Sequence, residues 1–175
     1  MPNTLNYELI DFTDGNLSGW TLLNERPAVY LAREHDNDFL VSKDIYAYNG
    51  MDFEKNVPGI EVGAYYAFSM DMRTYHSGNP HPETMGVQVI LANGFAGGHI
   101  ALRISVPSWD TVPGEWHTVE GYVFKRRETE GDTMLLNCYS LYQLDLDNIR
   151  LSLTPTQAIQ VPEKYKFGAE PHLKR

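Results

Sequence analysis

The segment GVQVILA, residues 86–92, places Val87, Val89 and Leu91 on one side of an extended chain and Gln88 and Ile90 on the other. This period of two recurs along the sequence, whereas the 3.6-residue period of an amphipathic helix is nearly absent. The alternating stretches are short and stop at clusters of Gly, Pro, Asn and Asp, which suit turns and resist helix. Strands are predicted near 6–12, 20–24, 27–33, 38–43, 64–74, 85–92, 99–106, 117–124, 134–141 and 144–153. Ten such strands bury their apolar sides best as two packed sheets, so the expected fold is all-β, a two-sheet antiparallel β-sandwich of jelly-roll type.

A chain of 175 residues is enough for one domain with a sizeable core. The sandwich is expected over residues 1–153. From Thr154 the composition changes to TPTQAIQVPEKYKFGAEPHLKR, a C-terminal extension expected to dock in part through Ile159, Val161, Tyr165 and Phe167. A formal charge of -9 repels phosphate backbones and anionic membrane surfaces, which argues against nucleic acid as a partner. The lone Cys138 has no second thiol to pair with and reads as a small buried hydrophobe. No apolar run is long enough to span a membrane, and MPNTLNYELI lacks the basic start and apolar core of a signal peptide. The expectation is a protein without membrane insertion, either cytoplasmic, exported by a signal-independent route, or already relieved of its signal.

Three longer connections, 44–63, 76–84 and 107–116, interrupt the strands, and loops on a rigid β scaffold are where binding groups usually sit. Within the first, MDFEKN is expected to form at most a single helical turn before Pro58-Gly59 ends it.

Five blocks, DFTDGNLSGW, FLVSKDIYAYNGMDFEKNV, GAYYAFSMDMRT, GEWHTVEGYVF and LYQLDLDNIRLSL, follow one another over residues 11–153. In this order they resemble the carbohydrate-binding modules of the xylanase and cellulase type, within the galactose-binding-like β-sandwich superfamily. The resemblance implies non-catalytic binding of an oligo- or polysaccharide through a cleft or a concave sheet face. It also implies a structural Ca²⁺ between the N-terminal turn and the last strand, with Asp14 and Asp147 as the carboxylates. The chain departs from the family pattern at Thr13, where a Glu is usual, at Tyr48-Asn49-Gly50 in place of Trp-X-Gly, and at Asn148 in a closing Asp-Asp pair.

Sugar recognition needs flat aromatic surfaces for the C–H side of a pyranose and planar polar groups for its hydroxyls. Trp20 and Trp116 stand where the resembling family places core aromatics, so both are expected to pack inside. Trp109, in VPSWDTVPG, is either an exposed platform or a plug at the end of the sandwich. Tyr46 and Tyr48 point the same way if extended, and Tyr75 can close the same cleft. On AYYAFSMDMRT, Tyr66, Phe68, Met70 and Met72 are assigned to the core. Asp71 and Arg73 then face outward, either as hydroxyl-binding groups or as a surface ion pair with each other. Gln88 and Arg103 are expected to point into that same face.

No HExxH, GxSxG, P-loop or dinucleotide fingerprint occurs. An enzyme of the jelly-roll lyase or hydrolase kind would have to be assembled from separate strands, with Tyr75, His76, His81 and Glu83 as the place to look. The alternative without sugar is an adhesion or protein-interaction sandwich.

Overall fold

The computed structural model describes residues 7–23, 29–43, 49–92, 98–127 and 131–166. These form eleven strands and a few single 3₁₀ turns: β1 Tyr7–Ile10, β2 Thr21–Leu22, β3 Val29–Glu34, β4 Asn37–Ser42, β5 Asn49–Asn56, β6 Tyr65–Thr74, β7 Met85–Ala92, β8 Gly98–Val106, β9 Trp116–Phe124, β10 Thr133–Ser140 and β11 Leu144–Ser152. One sheet has the order β3-β4-β11-β6-β9, with β1 also paired to β11, and is called here the first sheet. The second has the order β2-β5-β10-β7-β8. Every pairing is antiparallel. The two-sheet sandwich expected from the alternation is therefore the fold observed.

Alternation decides what lies between the sheets. Tyr66, Phe68, Met70 and Met72 of β6 face Val87, Val89 and Leu91 of β7 and Met134, Leu136 and Cys138 of β10 across one continuous core. Each such side chain taken fully out of water contributes about 1.5–3 kcal/mol of transfer free energy. Methionine is prominent here, and its unbranched thioether fills irregular gaps between two twisted sheets. Cys138 packs with its sulfur 4.0 Å from Met70 Sδ, and burial pushes its thiol well above the usual range.

The chain MDFEKN is a strand and not a helical turn. Met51 and Phe53 are buried while Asp52 and Glu54 point away, a period of two that β5 satisfies between β2 and β10. A six-residue helix would have left half of those apolar groups in solvent. Trp116, expected in the core, instead opens β9 at the edge of the first sheet, half-buried. Trp20 does belong to the core.

His35 and Asp36 join β3 to β4 with φ of 49° and 65°, the two-residue hairpin turn whose left-handed residues match the twist of the strands. Asn148, with φ of 48°, marks the irregularity at which β11 stops pairing with β4 and begins pairing with β1. Beyond β11, Thr156 bridges to Tyr65, Val161 is buried and the Tyr165 ring lies 5.6 Å from that of Tyr122. The extension thus crosses the outside of β6 and β9. Ile159 takes no part in this docking and is 88% exposed, and Phe167 lies outside the described residues.

Candidate functional site

The outer side of the second sheet carries a row of polar side chains in strand register. Asp52 on β5 stands opposite Asn137 on β10, Asn137 opposite Gln88 on β7, and Gln88 opposite Arg103 on β8. Asn137 Nδ2 donates to Asp52 Oδ1. The four therefore form one line across the strands, offering carboxylate, two amides and a guanidinium at a spacing of about 5 Å per strand.

Next to this row lies a second one, Gly50, Tyr139, Gly86 and Ser105. Gly86 is required there: a Cβ on it would stand 2.6 Å from Tyr139 Oη, 2.7 Å from Tyr139 Cζ and 2.5 Å from the Ile104 carbonyl oxygen. The tyrosine ring thus lies down across β7 instead of standing off the sheet. Its hydroxyl donates to Glu83 Oε1, which also accepts from Arg103 Nη2 at 3.0 Å and Ser105 Oγ at 2.9 Å. Those three donors, Tyr139 first, hold the Glu83 carboxyl at about 2, far below the usual carboxylate range. Burial, followed by the same carboxylate, pushes the Tyr139 phenol up. The outcome is a half-buried aromatic plate fixed by a charge-assisted network and bordered by the polar row, beyond which lie Leu135 and Ile90.

Gln88 and Arg103 do not share a face with Asp71 and Arg73, as expected from sequence; they occupy opposite outer sides of the sandwich, because β6 and β7 belong to different sheets. Nor do Asp71 and Arg73 pair with each other. Arg73 Nε donates to Asp145 Oδ2 at 2.8 Å and Nη1 to Glu34 Oε2 at 2.7 Å. Its guanidinium lies 4.5 Å from the Trp116 ring centroid and 4.9 Å from that of Phe39. Tyr75 Oη donates to Asp145 at 3.1 Å, and Asp145 has no exposed surface. Asp71 accepts from Thr118 Oγ1 at 2.6 Å and Asn148 Nδ2 at 3.0 Å. On this side the polar groups are spent on one another.

Tyr46 and Tyr48 lie outside the described residues. Trp109 is 60% exposed on the turn after β8, while its neighbour Ser108 is buried and its Oγ accepts at 2.8 Å from the His81 N–H of the loop before β7. A ring so exposed does not plug the end of the sandwich. The residues considered for catalysis are divided: Tyr75 serves Asp145, His76 Nδ1 accepts from the Gly78 N–H, His81 Nδ1 accepts from the Glu83 N–H, and Glu83 serves Tyr139.

The carboxylates expected to hold calcium belong to two separate sets. Asp14, 86% exposed, lies 3.3 Å from Arg33 Nη2, and the same guanidinium is paired with Asp38. Asp147 is buried and accepts from Asn37 Nδ2 at 2.7 Å and from the Asn148 N–H at 2.7 Å; burial raises its pKa. Among the described residues no group of three or more His, Cys, Asp and Glu converges as a metal site. With a guanidinium already neutralising the N-terminal turn, these residues do not fit a calcium ion as they stand.

Sequence comparison gives no matching family profile and no matching curated protein. Comparison of folds does. A xylan-binding domain from CBM22, formally x6b, superposes with a TM-score of 0.61 at 16% identity, covering 89% of this chain and 99% of that one. The CBM22-1 xylan-binding domain from Paenibacillus barcinonensis Xyn10C gives 0.59 at 16% identity over 86% of this chain and 95% of its own. The fold is that of carbohydrate-binding modules. The enzymatically active domain of Bacteriophage CBA120 tailspike protein 4 also matches, with a TM-score of 0.54 at 12% identity, covering 82% of this chain but 20% of that one.

Of the residues at the outer face of the second sheet, Gln88 and Arg103 were singled out for binding and Glu83 only as a catalytic candidate, whereas Asp52, Asn137 and Tyr139 were not singled out. A signal existed for two of them. In TMLLNCYS the apolar set Met134, Leu136 and Cys138 alternates with Asn137 and Tyr139, so the polar and aromatic pair had to share the opposite side.

Proposed function

We propose that this protein binds a polysaccharide without transforming it, and that the ligand lies on the outer face of the second sheet. The observation that carries the reading is the Tyr139 ring laid flat over Gly86, next to the in-register row Asp52, Asn137, Gln88 and Arg103. A pyranose stacked on that ring has its hydroxyls within reach of amides, a carboxylate and a guanidinium, the combination that sugar recognition requires. The ring and its carboxylate anchor are fixed before any ligand arrives, which lowers the ordering cost of binding. The fold's likeness to xylan-binding domains makes a β-1,4-xylan backbone the first ligand to try.

Titration calorimetry with linear xylo-oligosaccharides, after a screen over xylan, glucan and mannan backbones, tests this. Saturable binding that Tyr139→Ala weakens by tenfold or more is the expected result. Binding unaffected by Tyr139→Ala, or no glycan bound at all, overturns it. The latter result shifts the assignment to protein interaction.

A further inference from the structure

β8 and β9 are the outermost strands of their respective sheets, and they lie side by side at the open flank of the sandwich. Between them runs a groove of about 680 Å³, within the range of small-ligand sites. Its aliphatic floor comes from Leu102 and Ile104 of β8. Its walls come from Trp116, Thr118 and Glu120 of β9 and from Tyr165 of the docked extension. At one end Leu102 reaches β9 so closely that a Cβ on Gly121 would stand 2.8 Å from its Cδ1.

Both aromatic walls are held from behind. Trp116 is braced by Arg73 and meets Phe39 edge-on at 5.4 Å, while Tyr165 packs on Tyr122 and lies 3.5 Å through its hydroxyl from Glu120 Oε1. The Lys164 ammonium, 4.4 Å from the Tyr165 ring centroid, also lines the groove, and apolar surfaces with a rim of hydroxyl, carboxylate and ammonium groups suit a sugar ring. The groove is also continuous with the sheet face: Arg103 and Ser105, which border Tyr139 through Glu83, line it as well. A chain lying on the second sheet therefore passes over the edge of β8 directly into it.

The geometry points to a second subsite in this groove, one that takes a sugar side branch of the polysaccharide whose backbone lies on the second sheet. The protein is then a reader of branched chains. This rests on the glycan-binding reading above, and Tyr165 and Glu120 are its specificity-determining residues.

The test compares matched pairs on an array and in calorimetry: linear oligosaccharides of xylan, glucan and mannan, and the same backbones bearing one single-sugar branch. A branched member is expected to bind about tenfold more tightly than its linear partner, with the difference removed by Tyr165→Ala and reduced by Glu120→Ala while linear binding stays within twofold. Glu120 is an exposed β9 side chain, so its variant keeps the test valid should Tyr165→Ala undock the extension. Equal binding of linear and branched members, or a branch preference that survives both substitutions, overturns the subsite and leaves the sheet-face reading standing. Failure of every member to bind removes both.

Discussion

Each outer face of the sandwich holds an arginine beside carboxylates and a tyrosine, yet the two are built for opposite ends. On the first sheet, Arg73 is buried between Trp116 and Phe39, and its donors are taken by Asp145 and Glu34. On the second, Arg103 keeps 53% of its side chain exposed and shares Glu83 with Tyr139 and Ser105 at the edge of an open polar row. The same residue types form a clamp on one side and a presented surface on the other. What separates them is cover: the β3–β4 hairpin brings Glu34 and Phe39 over Arg73, and no described element lies across Gly86 and Tyr139.

Removing one partner of the clamp should have the largest effect. Asp145→Ala leaves the Arg73 guanidinium buried with half of its pairing gone, and a loss of about 3–5 kcal/mol in urea unfolding is expected. A loss under about 1 kcal/mol would make the two faces energetically alike and break the comparison. Gly86→Ala comes next. The new methyl collides with Tyr139 and with the Ile104 carbonyl, so a cost of about 1–3 kcal/mol is expected together with at least tenfold weaker glycan binding. Unchanged binding in this variant would dissociate the ring's position from recognition. By contrast, Arg103→Lys should alter stability by less than about 1 kcal/mol, because its pair is a rim contact, while still weakening binding by removing the planar fork.

Acid titration sharpens the contrast by the order in which carboxyls protonate. Glu83 is held below its ordinary value of 4.5, at about 2, by its donors. Its network therefore adds stability that is complete above about pH 4.5 and is lost as the pH falls toward about 2. Asp147 is displaced the other way by burial, so its charged form costs stability that is relieved as the pH falls. Carboxyl NMR should show Asp147 protonating before Glu83 as the pH falls; the reverse order would contradict the assignment of one open and one closed side. The smallest effect expected is that of calcium. Since Arg33 already sits between Asp14 and Asp38, adding Ca²⁺ or a chelator should leave the melting temperature essentially unchanged. A rise of several degrees with Ca²⁺ would mean that the guanidinium yields its place.

Much of this architecture was written in local pattern. Period-two runs such as GVQVILA and AYYAFSMDMRT determined, by the geometry of an extended chain alone, that Val87, Val89 and Leu91, and likewise Tyr66, Phe68, Met70 and Met72, turn inward. Short strands separated by turn residues then required two sheets. MDFEKN was misread because a window of six residues with two apolar positions is ambiguous until its neighbours are known, and only pairing with β2 and β10 resolves it.

Pattern says that a side chain faces away from the core, but not which sheet carries it. That is why Gln88 and Arg103 were grouped with Asp71 and Arg73, whereas Trp116 was placed inside by the family resemblance although its phase against buried Val119 and Val123 turns it outward. Strand order is set by contacts between residues far apart in the chain, such as Asn137 with Asp52 and Arg73 with Asp145, and these leave no mark in any local stretch. The sequence alone thus determined a β-sandwich and which residues fill it. Only the tertiary structure decided that Tyr139 lies down on Gly86 and that one arginine is buried while the other is presented.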